Sequence, residues 1–473
     1  PNPNYLNSDI LSLNQPYYTG NFLTTDKKEI FGPLKNEDII VKPMEHVLGI
    51  TPKYSDQISK SEMCGNCHNI LLPTITNNGE VTGASYEQST HLEWANSDFA
   101  KPDSDNFQSC QDCHMPHSYD GKDLKFKIAN IESSDFAPTT GRLEDKDITL
   151  KEVSPYPRHS LHGLNVFLNQ MFQQFPAILG YRQIDYMNAA TIPALTTGQD
   201  SMLEMARAQT ASVEIAPIKI STNKLEANVL ITNQVGHYLP SGAGFRRLFI
   251  EFLVLDENDQ AIWASGRTNQ VGLILDGTTN NVLETELPVK NPKIWQPHYQ
   301  TITEPSQVQI YQEVILDSVK NISTSFLRRI SHVKDNRIRP KGFDPEFFKQ
   351  QSSKYIQELG NNHGEAVQLD PYYSNPKLTG ADTINYSIEL GVENMKKAKS
   401  IRVTLYSQSI PPGYLQQRFD DADYGTNPES SEIERLFYLT SHLNVDTPKD
   451  SEGKPFIKDW KLKIGESAKL QIH

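Results

Sequence analysis

Two pentapeptides hold every cysteine of the chain: Cys64-Gly-Asn-Cys67-His68 and Cys110-Gln-Asp-Cys113-His114. In the pattern C-x-x-C-H the two thiols add to the vinyl groups of a haem, and the adjacent histidine becomes an axial ligand of its iron. A C-x-x-C pair by itself, in a protein outside the cytosol, is more often a disulfide or a metal clip, so the histidine that follows carries the discrimination. Here it follows both times. A four-cysteine zinc site and a pair of disulfides are the competing readings, but zinc knuckles rarely need an identical histidine after each. The spacing predicts two covalently attached haems c, anchored by Cys64 and Cys67 and by Cys110 and Cys113, with His68 and His114 as proximal ligands.

Each iron has a sixth position, and its occupant sets the chemistry. A second histidine gives a low-spin iron suited to electron transfer, a methionine raises the potential, and an open position admits a substrate. The chain has thirteen histidines. His91, in Tyr86-Glu-Gln-Ser-Thr-His91-Leu-Glu-Trp94 between the two motifs, can reach either haem and is expected as a distal ligand. His159 and His162 lie three residues apart ahead of an apolar segment. One is expected to ligate, with His159 preferred, and the other to line the pocket or contact a propionate. His117 follows its own motif closely and reads as a propionate or solvent contact, while His46 stays open as an upstream candidate. Met63 and Met115 are too close to their motifs to swing to the opposite haem face and read as packing residues. His237, His298, His332, His363, His442 and His473 read as structural or surface groups.

The elements that must hold these residues fall into two halves. Residues 1 to 62 are rich in Asn, Asp and Pro and read as irregular chain laid over a neighbour, which a haem's apolar surface could order. A helix is expected from Tyr86 to Asn96, a polar loop from Asp120 to Pro157, and helices at Leu164–Leu179 and Thr197–Ala211 that close the haem segment. After Ser212 the pattern turns to period two, with strands expected at 213–220, 225–231, 249–255, 261–264, 308–316, 383–390, 400–407 and 467–472. Residues 317 to 380 read as a loop-rich insertion and Glu432–Leu443 as a helical one. The fold class is therefore α+β: a loop- and helix-rich dihaem cytochrome c domain over 1–211, then an antiparallel β-sandwich domain with insertions over 212–473.

Composition excludes several functions. With 45 Lys and Arg against 58 Asp and Glu in 473 residues, the net charge of −13 disfavours nucleic acid, whose binding needs concentrated cationic surface. No apolar run is long enough to span a bilayer. No nucleophile motif, G-x-G-x-x-G or P-loop is present. Haem attachment to C-x-x-C-H is expected to place the protein in the periplasm or outside the cell, with any signal peptide cut off or left out of a sequence that begins at Pro1.

Ser61-Glu-Met-Cys64-Gly-Asn-Cys67-His68-Asn, the Tyr-Glu-Gln-x-x-His91 segment and Cys110-Gln-Asp-Cys113-His114-Met-Pro resemble multihaem c-type cytochromes of the cytochrome c-554 type. Arg158-His159-Ser-Leu-His162-Gly163-Leu-Asn165 is similar to the segment that supplies a distal histidine in such proteins. Gly236-His237-Tyr-Leu-Pro240-Ser-Gly242, Arg246-Arg247, Gln307-Val-Gln-Ile-Tyr311 and Lys334-Asp-Asn-Arg337-Ile-Arg-Pro-Lys-Gly342-Phe look like the β-rich domain attached to many of them. The resemblance implies bis-histidine haems in close-packed pairs and electron transfer with redox partner proteins, among them other multihaem cytochromes, in an oligomer or larger assembly. Relatives commonly carry further C-x-x-C-H motifs ahead of Glu29-Ile-Phe-Gly32-Pro33, and this chain has none there. Either it is a dihaem member, or further haems lie upstream or on a partner. Two other functions stand beside electron transfer: an oxidoreductase acting on a small nitrogen or sulfur compound at an open haem, and a β-half that binds carbohydrate or adheres while the haems only stabilise it.

Overall fold

The computed structural model describes residues 27–39, 41–119, 121–130, 149–181, 194–345, 370–422, 430–446, 449 and 455–472. His363, His473 and residues 1–26 of the irregular N-terminal segment lie outside them, as does much of the polar loop after Asp120. The chain mixes helices and strands, as its patterning predicts.

Period-two alternation is clearest in Lys224–Asn233, where Leu225, Ala227, Val229 and Ile231 are buried and the residues between them are half-buried or exposed. This strand runs antiparallel to Ala381–Glu389 with Val229 opposite Ile384. Ala211–Ile215 also pairs with it, and Thr301–Ile302 pairs in parallel with Ala381–Glu389. A second sheet is built on Arg247–Leu255, which is buried along its whole length. It pairs with Ser400–Gln408, Ile310–Leu316 and Ala261–Ser265. Its apolar run is explained by two covered faces. Ile250, Phe252 and Val254 join the main core, while Phe249 packs with Ile274, Leu283, Val308 and Ile310 on the other side. The two sheets meet through Phe252 and Tyr386, whose rings stack with centroids 4.0 Å apart, an offset contact that adds to the burial of two large side chains.

Three local expectations meet a different structure. Tyr86–Gln88 is not helical: Val81–Gln88 is a strand in a hairpin with Ile70–Ile75, Leu71 facing Tyr86, and only Thr90–Ala95 forms a helix. The Val-Thr-Gly-Ala-Ser-Tyr alternation and the turn at Asn77-Asn-Gly79, with Gly79 at φ +86°, favour the hairpin. The helices Val166–Gln174 and Ala194–Ala208 fill the core of the sheets, where Phe167 stacks on Trp460 at 5.0 Å and Leu203 and Ala206 are buried. The sheets' inner faces offer the continuous apolar surface that these two helices need. Within 317–380, Ser331–Asp335 pairs with Ile310–Leu316. Its charges made it read as loop, yet Lys334 and Asp335 are buried and hydrogen-bonded, which is the condition for placing charge in a core.

Candidate haem-attachment site

Both cysteine motifs form short helices, Glu62–His68 and Cys110–His114. The second is started by a capping box: the Ser109 hydroxyl accepts from the Asp112 N–H, and the Asp112 carboxylate accepts from the Ser109 N–H, a reciprocal arrangement that satisfies two end donors. The two helices abut at their starts. The Cys110 N–H donates to the Ser61 hydroxyl at 3.0 Å, and the Gln111 amide donates to the carbonyls of Lys60 and Ile58 at 2.9 and 3.3 Å. The mutual influence of the Cys64 and Cys110 thiols pulls Cys64 down and pushes Cys110 well above the thiol range. Burial pushes Cys113 up to about 11. All four cysteines are free.

The histidine of the second motif fits an iron. The His114 Nδ1 stands 2.7 Å from the His162 carbonyl oxygen. A carbonyl can only accept, so Nδ1 carries the hydrogen and Nε2 keeps its lone pair, the tautomer and the backbone anchor expected of a metal-binding imidazole. His68, at the end of the first helix, is hydrogen-bonded to Gln88, which also donates to the Cys67 carbonyl at 3.1 Å.

The remaining histidines named by the sequence take different places. His159 is exposed, with its ring edge toward Tyr156 at 6.4 Å. His162 is half-buried, its ring against Gly198, where a Cβ would come within 3.0 Å of Nε2. What this segment brings to His114 is main chain: besides the His162 carbonyl, the Leu161 N–H donates to the His114 carbonyl at 2.9 Å and the Arg158 N–H to Pro116 at 3.0 Å. His46 is exposed on the helix Lys42–Leu48, and His117 lies 3.9 Å from the Asp112 carboxylate.

His91 is 3% exposed and packs against the first attachment helix at Gly65, where a Cβ would meet its ring at 3.0 Å. Its Nδ1 faces the side-chain nitrogen of Asn69 at 3.2 Å, and the Asn69 oxygen already accepts the Leu92 N–H at 3.1 Å. That orientation makes Nδ1 an acceptor and puts the hydrogen on Nε2, which is sealed without a hydrogen-bond partner. Burial holds His91 down at about 4.

The residue that the sequence reading passed over is His237. Its ring lies 6.5 Å from that of His114, with the planes 16° apart. The loop carrying it is docked on the helix Thr90–Ala95. Glu93 accepts from the Tyr238 N–H at 3.1 Å and the Ser241 hydroxyl at 2.6 Å, and Gly236 approaches Trp94 and Phe99 so closely that a Cβ would come within 3.0 Å of both. Arg246 stands beside His68 and His237, donating to the Ser241 carbonyl at 3.1 Å. Its only sequence signal was the segment Gly236-His237-Tyr-Leu-Pro240-Ser, remote in the chain from both cysteine motifs.

One other group has the makings of a metal site: His298, Asp370 and Asp382, all buried. Its proton arrangement argues otherwise. Gln309 donates to His298 Nδ1 at 2.8 Å and Asn336 at 3.2 Å, each with its oxygen occupied by a main-chain N–H. Nδ1 is thus an acceptor, and Nε2–H donates to Asp370 at 3.1 Å. Burial raises Asp382 to about 6 although it accepts from the Tyr311 hydroxyl at 2.8 Å, as desolvation does to a carboxyl in a dry site. His298 therefore belongs to a closed hydrogen-bond network, as a structural histidine.

No helix among the described residues is long and apolar enough to cross a membrane. No protein-family model matches the chain, and no curated protein matches it. The solved structure of a penta-heme cytochrome c552 from Thermochromatium tepidum is similar to it, with a TM-score of 0.41 and 13% sequence identity, covering 94% of this chain and 68% of that one.

Proposed function

We propose that this chain is a c-type cytochrome that carries single electrons between redox partners outside the cytoplasmic membrane. Two haems c would be held by Cys64, Cys67 and His68 and by Cys110, Cys113 and His114. The observation that carries the reading is the packing of the two attachment helices start to start, with the Cys110 N–H donating to the Ser61 hydroxyl at 3.0 Å, which makes the two attachment points neighbours. When bound, each haem supplies a one-electron couple. The chain's own residues anchor and orient: the thiols fix the groups covalently, the His162 carbonyl sets the His114 tautomer, and the buried guanidinium of Arg246 offers a cation for a propionate. The two-sheet half, an antiparallel sandwich in this reading, supplies a rigid frame and a surface for partner proteins or further copies.

A second reading has one observation behind it. Among the described residues, no histidine ring stands opposite His68 as His237 stands opposite His114. A five-coordinate iron there, with Arg246 and Glu87 nearby, would suit reduction or oxidation of a small nitrogen or sulfur compound. A redox titration followed by visible and EPR spectra separates the two. Reversible one-electron reduction of both haems, with no response to nitrite or sulfite, supports the carrier. A high-spin signal shifted by either anion, with turnover, supports the enzyme and overturns the carrier reading.

A further inference from the structure

We infer that His237, from the two-sheet half of the molecule, is the sixth ligand of the iron whose proximal ligand is His114. The inference rests on the haem reading above and goes beyond it by assigning an iron ligand more than a hundred residues from either cysteine motif.

Three observations carry it. First, two imidazoles bound to one metal through nitrogen, at about 2.0 Å each and about 1.2 Å from nitrogen to ring centre, have centroids about 6.4 Å apart. The His114 and His237 centroids are 6.5 Å apart with planes 16° from parallel. Second, both rings hold the tautomer that ligation requires. His237 Nδ1 stands 2.9 Å from the Tyr238 carbonyl oxygen, as His114 Nδ1 stands 2.7 Å from that of His162. Each carbonyl must accept, so each Nε2 is bare. His91 and His298 are set the other way, with Nδ1 accepting from side-chain amides.

Third, the loop is built to hold the ring still. The Asn233 amide donates to the His237 carbonyl at 2.8 Å, Leu239 exchanges two main-chain hydrogen bonds with Ile338, and Glu93 clamps Tyr238 and Ser241 from the helix between the two cysteine motifs. Glu93 is a positioning residue for His237. Coordination by His114 and His237 would make the haem a cross-link between the cysteine-bearing segment and the sheets. It would also explain why the buried glutamate of the helix Thr90–Ala95, besides accepting from the Ser89 hydroxyl at 2.9 Å, binds Tyr238 and Ser241 of the other half.

The test uses the full chain with its haems attached, first counted by intact mass. If the wild-type protein carries no covalent haem, the functional reading fails and this inference with it. With two haems present, low-temperature EPR of the oxidised protein is compared among wild type, His237→Ala, His237→Met, His91→Ala and His162→Ala. The expected result is one low-spin haem lost to a high-spin signal in His237→Ala, restored by added imidazole, with His91→Ala and His162→Ala unchanged at that haem. In His237→Met the iron stays low-spin and the reduction potential of one haem rises. Should His237→Ala fail to fold, His237→Met decides by the same potential shift. An unaltered spectrum and potential in the His237 variants, with both haems attached, overturns the inference and leaves the carrier reading standing.

Discussion

The interior of the sheets and the junction where they meet the cysteine-bearing segment treat their histidines in opposite ways. In the sheets the apolar faces close on each other, with Phe252, Tyr386, Ile250 and Leu405 fully buried, and the charges that come inside are matched. Arg247 and Glu286 form a bidentate pair at 2.6 Å, and Glu313 is gripped by Arg329 and by His332 at 2.8 Å. Burial would raise Glu313, but Arg329 and His332 hold it at about 2. His298 fits this pattern, its ring saturated by amides and a carboxylate. In the cysteine-bearing segment the only core cluster joins Tyr86 and Leu92 to Tyr238 and Phe343 of the other half, among the described residues. At the junction of the two halves, His114 and His237 spend only Nδ1 on the protein. A metal-binding imidazole donates its Nδ1–H and keeps a bare Nε2, whereas His91 accepts at Nδ1 and carries its hydrogen on Nε2.

The strongest way to break this contrast is to remove an anchor. Replacing Cys110 and Cys113 together by alanine is expected to abolish one haem, halving the haem absorbance per chain, while circular dichroism of the sheets is retained. Loss of strand signal would mean that the sheets depend on the haem.

Two substitutions in the two-sheet half should act the other way, costing stability while both haems stay attached. Phe252→Ala should cost about 3–5 kcal/mol in denaturant unfolding, as expected for an emptied aromatic site. Arg329→Met, which strands the buried Glu313 carboxylate, should cost a similar 3–5 kcal/mol. Below about 1 kcal/mol for either, the closed-core description is wrong.

A pH measurement sharpens the contrast further. Burial lowers Lys334 to about 7 from its ordinary 10.5, its ammonium held by the carbonyls of Gln296 and Ile310. Between those two values the unfolded chain binds more protons than the folded one, so this group makes stability rise with pH. The thermal midpoint should climb from pH 7 to pH 9, and Lys334→Met should flatten the slope; an equal slope in the variant removes Lys334 as its source. The smallest effect belongs to Gly65→Ala. Crowding of the His91 ring and the better helix propensity of alanine oppose each other, leaving a net change of about 1 kcal/mol or less. A shift in haem spin state in that variant would show that His91 bears on the iron.

Much of this was legible in the residues. The period-two runs at Lys224–Asn233 and Ser400–Gln408 and the helix Ser430–His442 are where the patterning puts them. Tyr86 misled because an aromatic beside Glu and Gln suits a helix as well as a hairpin, and the turn at Gly79 decided it. The apolar stripes of Val166–Gln174 and Ala194–Ala208 were readable, but not the surface they would cover. His237 was hidden for the same reason: its partner is chosen by the docking of Glu93 on Tyr238 and Ser241, across most of the cysteine-to-sheet distance in sequence. His91 drew attention by position, yet its surroundings, Gly65 and Asn69, are visible only in three dimensions.

The central claim is that Cys64, Cys67, Cys110 and Cys113 hold two haems. Intact-mass measurement of the protein, matured in a host that attaches haem c, tests it most directly. The account predicts a chain heavier by two haems that stay bound after acid-acetone extraction. A chain of unmodified mass, or one whose cysteines are joined as disulfides or bound to zinc, would contradict it.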